Sequence, residues 1–180
     1  MQLTVERVRL NSREVKRIYF EAFPKQERMP FPRMVAMSRL WNTQFLSFAR
    51  EGRTQGFVYL ARGMGVVFVM FLAVDGALRG QGCGSAILQE VQRRNPGRKV
   101  IVTIEPCDAD APDLALRRRR RAFYQRNGFA PTGYRIRLSG VEQEVLVAGG
   151  AFSKAQLRLF LALYSNGTLW PRIWRHEEMG

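Results

Sequence analysis

Hydrophobic and polar positions alternate along the chain with two periods, and those periods set out its elements. Leu3, Val5 and Val8 alternate loosely, which predicts an edge strand over Leu3–Val8. From a cap at Asn11 or Ser12, Val15, Ile18, Tyr19 and Ala22 recur at helical steps, predicting a helix to Phe23 that Pro24 ends. The polar connection Pro24–Pro30 leads to a second short helix, roughly Pro32–Trp41. Gln44–Arg50 and Thr54–Ala61 read as a hairpin around Glu51-Gly52-Arg53, and Gly63–Gly65 turns into a buried strand, Val66–Val74. After a glycine-rich loop, Ala86, Ile87 and Val91 carry a helix to the breaker Asn95-Pro96-Gly97. Lys99–Ile104 is a β-branched strand, Glu105–Pro112 an acidic loop, and Asp113–Asn127 a helix closed by Gly128. Tyr134–Leu138 and Glu142–Val147 pair as strands around Ser139-Gly140. Ser153–Tyr164 is amphipathic through Leu157, Phe160, Leu161 and Tyr164. The tail Ser165–Gly180 holds Trp170, Pro171 and Trp174 and shows no period.

The order β-α-α-β-β-β-α-β-α-β-β predicts an α/β chain of the α+β kind, a mixed sheet with helices on both faces. A length of 180 residues with 46% hydrophobic and 24% charged content fits one soluble domain with a sizeable core. Residues 63–74, the longest apolar stretch, are too few for a bilayer span, so no membrane association is expected. Glu6, Arg7 and Arg9 break any apolar leader region. The two cysteines, Cys83 and Cys107, form no disulfide framework and fit a reducing, cytoplasmic setting. With His176 as the single histidine and no ligand spacing around either cysteine, no metal is expected.

Charge changes the picture more. The chain carries 29 Lys and Arg against 15 Asp and Glu, a net charge of +14 spread over both halves. Such a field attracts polyanions: nucleic acid, an anionic surface or a phosphorylated ligand. The stretch best built to hold an anion is strand Val66–Val74, a turn at Asp75-Gly76, the loop Arg79-Gly80-Gln81-Gly82-Cys83-Gly84, and the helix behind it. Unpaired N–H groups of a first helical turn point outward, the helix dipole favours negative charge, and glycines admit close approach. No Gly-Lys-Ser/Thr is present, so this is not a Walker loop. Ile87 stands at the third glycine position of a dinucleotide fingerprint.

A second motif lies one strand and one helix downstream: Arg120-Arg121-Ala122-Phe123-Tyr124-Gln125-Arg126-Asn127-Gly128-Phe129. Together with Leu72-Ala73-Val74 and the Arg79–Gly84 loop, it resembles the GNAT superfamily of acyl-CoA-dependent N-acyltransferases, over roughly Leu3–Val147. The resemblance implies residues 1–150 as a GNAT domain, with 151–180 packing on it or at a dimer contact. It implies a fold with two central parallel strands that splay apart, acetyl-CoA as donor and an amine as acceptor. It places the pyrophosphate on Arg79, Gly80, Gln81, Gly82, Cys83, Gly84 and Ser85, and the pantetheine on the backbone of Leu72 and Val74.

Tyr124 matches the family's general acid, a phenol able to protonate the departing thiolate. Phe123 and Phe129 read as core. Many members carry Asn and Ala where this chain has Arg117 and Arg120. The run Arg117–Arg121 can reach CoA phosphates or form a solvated helix face. The base is open: Glu105, at the end of the neighbouring strand, comes first and Glu27, over the expected acceptor site, second. Each can equally be a surface carboxylate or an arginine partner. Cys83 is expected to pack and use its N–H, not to attack.

The function that follows is transfer of acetyl from acetyl-CoA to a primary amine of a small molecule or peptide, by direct attack in a ternary complex. A neutral or anionic small amine or a peptide N-terminus suits the positive field best. Two alternatives stand beside it: a basic module associated with nucleic acid or a ribonucleoprotein, and a catalytically degenerate CoA-binding sensor. Monomer and homodimer are both compatible with the sequence.

Overall fold

A computed structural model describes residues 3–40 and 42–176. The expected end of the second helix at Trp41 and the last four residues of the tail fall outside the described residues. The chain divides into two compact units, Met1–Arg62 with Val69–Pro96, and Gly63–Phe68 with Gly97–Gly180.

In the first unit the strands follow the order β1 (Thr4–Arg7), β2 (Thr43–Arg50), β3 (Arg53–Gly63), β4 (Val66–Val74). Antiparallel register pairs Thr4 with Ala49 and Arg50 with Arg53. The two-residue turn Glu51-Gly52 has φ of 51° and 76°, the left-handed pair that matches the twist of a tight hairpin. Helix α1 (Arg13–Ala22) buries Val15, Ile18 and Tyr19, the stripe that its spacing predicts. Helix α2 (Phe31–Met37) stops at Ser38, whose Oγ donates to the Val35 carbonyl at 2.7 Å, so it ends earlier than expected. Tyr19, Phe31, Phe45, Phe57 and Tyr59 are buried around Met34 and Ala73, with Phe23 and Phe71 packed against them. Their rings meet mostly edge-on, as Phe23–Phe71 at 5.0 Å and Phe45–Tyr59 at 5.4 Å. Each fully buried ring contributes roughly 1.5–3 kcal/mol of transfer free energy, so this cluster is the main support of the unit.

Polar contacts fix the connection between α1 and α2. The Tyr19 hydroxyl donates to the Met29 carbonyl at 3.0 Å and accepts from the Met29 N–H at 2.8 Å. Arg28 donates to the carbonyls of Phe20 and Phe23, both at 2.6 Å, satisfying acceptors that a helix end leaves orphaned. A 3-10 turn, Lys25–Glu27, lies between these anchors.

In the second unit the strand order is β5 (Lys99–Ile104), β7 (Val141–Ala148), β6 (Ala130–Leu138), β8 (Arg172–Arg175), antiparallel throughout. Two findings differ from the expectation. β6 begins at Ala130 instead of Tyr134, because an irregular register between Pro131 and Arg135 absorbs the breakers Pro131 and Gly133. The tail adds a strand, β8, which pairs Ile173 with Ile136. Helix α5 (Lys154–Tyr164) is capped by Ser153, whose Oγ accepts from the Gln156 N–H. It packs on its own chain through Leu157, Phe160 and Leu161. Gln156 bridges Lys99 Nζ at 2.9 Å and the Met64 carbonyl at 2.8 Å. Among the described residues, no helix is long and apolar enough to cross a membrane.

Candidate active site

The glycine loop is built from the end of β4. Asp75 is buried, and its carboxylate accepts from the Ala77 N–H at 3.0 Å and from Arg17 of α1 at 2.9 Å. Chiefly the Ala77 N–H, with the guanidinium behind it, holds that carboxyl below the usual aspartate range. A 3-10 turn, Gly76–Leu78, follows and anchors itself on buried Leu78. The chain then passes exposed Arg79, Gly80, Gln81 and Gly82 into α3 (Cys83–Arg93).

Gly80 and Gly82 have φ of 80° and 79°, and an added Cβ at either meets nothing within 4 Å. These glycines serve backbone conformation, and they leave the loop's outer side open. Gly82 is the N-cap of α3 and offers no side-chain cap, so the first-turn N–H groups of Cys83, Gly84 and Ser85 face away from the helix without one. The first intrahelical bond runs from the Ala86 N–H to the Gly82 carbonyl. Such an arrangement can receive an oxyanion.

Beneath the loop lies a support that the sequence did not reveal. β2 and β3 pair Phe48 with Gly56 and Ala49 with Thr54, leaving Gln55 as the extra residue of a β-bulge. The bulge turns the Gln55 carbonyl to the Asp75 N–H at 2.9 Å, and Gln55 Oε1 accepts from the Cys83 thiol at 3.1 Å. Cys83 is half-buried and its thiol is engaged. Next to the bulge, a Cβ on Gly56 would lie 2.3 Å from the Ala73 carbonyl oxygen and 3.1 Å from Val74 Cα. A glycine in the middle of an apolar strand is the one signal that could have marked this close approach. Leu72 and Val74, at the end of β4, are half-buried. Glu27, in the turn after α1, is exposed.

The remaining candidates lie in the second unit. Helix α4 (Leu114–Arg126) ends in Asn127, and Gly128 takes φ of 83°, so the Phe129 N–H returns to the Tyr124 carbonyl at 3.1 Å. That closure buries Tyr124 between Phe123 and Phe129, with ring centroids at 5.2 and 5.5 Å. Burial pushes its phenol up to about 12, while the Arg120 cation pulls the other way. A phenol that holds its proton this firmly is a donor at any neutral or mildly alkaline pH.

Glu105 makes an ion pair with Arg120 through its Oε2. Arg117 pairs with Asp113 at 2.5 Å and donates to the Pro106 carbonyl at 3.1 Å, and Arg121 pairs with Glu144 at 3.2 Å. Arg118 and Arg119 are exposed and without an ion pair among the described residues. The arginine run is thus neither one solvated face nor wholly unpaired charge. Three of its five members, Arg117, Arg120 and Arg121, are spent on carboxylates of their own unit. The structure groups Leu72, Val74, the Arg79–Ser85 loop and Glu27 in the first unit, and Glu105 with Tyr124 in the second.

Comparison with known proteins places this geometry. A model described as an acetyltransferase (GNAT) domain matches residues 41–131, just over half of the chain. YjbC of Bacillus subtilis, provisionally named an acetyltransferase, is 35% identical over 74 residues, 39% of this chain and 36% of that protein's length. A solved GNAT-family protein of Bacteroides thetaiotaomicron, also a provisionally named acetyltransferase, superimposes with a TM-score of 0.75 at 19% identity, covering 92% of this chain and 99% of its own. The Bacillus subtilis acetyltransferase solved in complex with CoA gives 0.58 at 13% identity, covering 82% and 98%. The matched residues take in the glycine loop and the helix that buries Tyr124, and this chain belongs to the GNAT acetyltransferase family.

Proposed function

We propose that the chain transfers an acetyl group from acetyl-CoA to a primary amine by direct attack in a ternary complex. The observation that carries this reading is the open loop Arg79–Ser85, where two left-handed glycines and an uncapped helix start present N–H groups to an anion. Those groups suit a pyrophosphate, with the Arg79 guanidinium beside them. The backbone of Leu72 and Val74 serves the pantetheine, and a strand amide near Val74 polarises the thioester carbonyl.

Attack forms the C–N bond and breaks the C–S bond. Tyr124 gives its proton to the sulfur as it leaves, and Glu105 takes the proton that the amine sheds. Glu105 meets Arg120 through Oε2, which leaves Oε1 for that proton. Glu27, exposed on the clamped α1–α2 connection, contributes to acceptor binding. The acceptor is a neutral or anionic small amine or a peptide N-terminus, and the reaction takes place in the cytoplasm.

The Glu105–Arg120 pair favours a second reading, a CoA-binding sensor whose base is neutralised by its own helix. Calorimetry with acetyl-CoA, followed by thiol release across a panel of amines, separates the two. Binding with release supports the transferase, and binding without release across the panel supports the sensor. No binding of acetyl-CoA refutes both.

A further inference from the structure

The last two strands of the second unit carry a surface that acetyl transfer does not use. Ile136 and Ile173 face each other in register and are buried, so their neighbours in β6 and β8 point the other way. On that outer face Arg135 stands opposite Trp174, and Arg137 opposite Arg172. Arg135 is neutralised: it pairs with Glu142 at 2.6 Å and with Asp108. Arg137 and Arg172 are exposed, and their guanidinium carbons sit 5.9 and 5.6 Å from the Trp174 ring. Stacking on an indole holds a guanidinium plane in place while its N–H donors stay in water.

Helix α4 lies on the same face. Arg121 reaches Glu144, which stands opposite Arg135 in β7 and so points outward with it. Arg137 retains one weak contact, 3.6 Å from Glu142. The result is a band of four arginines, Arg121 and Arg135 held by carboxylates and Arg137 and Arg172 beside the Trp174 indole.

We propose that this band binds single-stranded nucleic acid. Exposed guanidiniums meet phosphates, and guanidiniums held beside an indole suit exposed bases, which stack on π faces and guanidinium planes alike. The chain's net charge of +14, far beyond what one CoA needs, supplies the long-range attraction. A fluid anionic membrane offers no bases to stack, and the carboxylates of an acidic peptide carry no planar rings.

The test is fluorescence anisotropy of a labelled 20-mer oligouridine with the full chain at two salt concentrations. Three variants are compared: Arg137→Gln with Arg172→Gln, Arg137→Lys with Arg172→Lys, and a charge-matched control, Arg33→Gln with Arg39→Gln, on α2 and just after it. Circular dichroism and acetyl-CoA calorimetry confirm that each variant folds and that the donor site is unaffected. The expected result is a more than tenfold weaker Kd for the strand glutamine pair and a salt slope lower by about 1.4, two phosphate contacts on a single strand. The lysine pair should recover the slope but not the affinity, and the control should lose less than threefold. Equal losses in strand and control variants overturn the proposal, because binding would then be diffuse charge. So do failure to bind at physiological salt, and equal binding to phosphatidylserine vesicles or heparin. Each of these outcomes leaves acetyl-CoA binding, read separately, untouched.

Discussion

Replacing Gly56 by alanine should disturb both the first unit and its glycine loop. The new Cβ would lie 2.3 Å from the Ala73 carbonyl oxygen, 2.9 Å from Ile87 Cδ1 and 3.1 Å from Val74 Cα. The isoleucine methyl can rotate away, but the other two atoms belong to the β4 backbone. β4 must recede by about 0.7 Å to bring its oxygen out to 3.0 Å, the least separation that real Cβ atoms tolerate. Overpacking of this kind costs roughly 1–3 kcal/mol, and a clash of backbone on backbone belongs at the upper end. For a chain of this length, about 3 kcal/mol corresponds to a fall of about 6–12 °C in Tm. The shift falls on the residues that lead into Asp75, so kcat/KM for acetyl-CoA should drop on the order of tenfold or more. Gly76→Ala is the control, since nothing stands within 4 Å of its added Cβ. Differential scanning fluorimetry and thiol-release kinetics read both effects. A Gly56→Ala protein melting within 2 °C of wild type, with unchanged acetyl-CoA kinetics, would refute the close approach as the reason for glycine there.

Tyr124→Phe should cost on the order of 10²–10⁴ in kcat by thiol release, with little loss of stability, because the ring packing on Phe123 and Phe129 is kept. The same variant should flatten an alkaline transition. The buried phenol, with its pKa raised to about 12, favours folding while protonated, and that contribution fades as pH rises from about 10 through 12. Asp75→Asn should act at the other end. A lowered carboxyl stabilises the fold above its unfolded pKa, so wild type loses this contribution as pH falls below about 4, whereas the variant's acid melting curve lacks that component. Gly82→Ala should weaken acetyl-CoA binding measured by calorimetry, since a left-handed φ of 79° strains an alanine by roughly 1–2 kcal/mol even though space is open.

Much of the strand–loop–helix around Arg79–Ser85 was legible because its signals are local. A β-branched run, a glycine-rich loop and a following helical stripe each declare themselves within a few residues, and β4, the loop and α3 lie where the sequence places them. Tyr124 was legible for the same reason, since Gly128 marks the turn that buries it. What escaped depends on partners distant in the chain. Nothing around Gln55 announces a bulge, because a bulge is a property of the pairing with Phe48 and Ala49. Arg17 looks like an exposed helix arginine until Asp75, 58 residues away, is seen beside it. The strand Arg172–Arg175 gives no alternation to read: it is four residues long and only Ile173 is buried. Glu105 could be placed at the end of β5 from sequence, but its pairing with Arg120 depends on how α4 turns.

The bulge at Gln55 also restricts how the hairpin β2–β3 can change in length. One residue of β3 is unpaired there, and its carbonyl and amide reach Asp75 and Cys83. Deleting a single residue between Arg53 and Gly56 would restore a regular ladder and draw both of those contacts away from the loop. Insertions at the Glu51-Gly52 turn leave the bulge in place. Among descendants of this sequence, length variation should therefore collect at the hairpin tip and avoid the three residues that follow Arg53, a bias set by strand register and not by any contact with substrate.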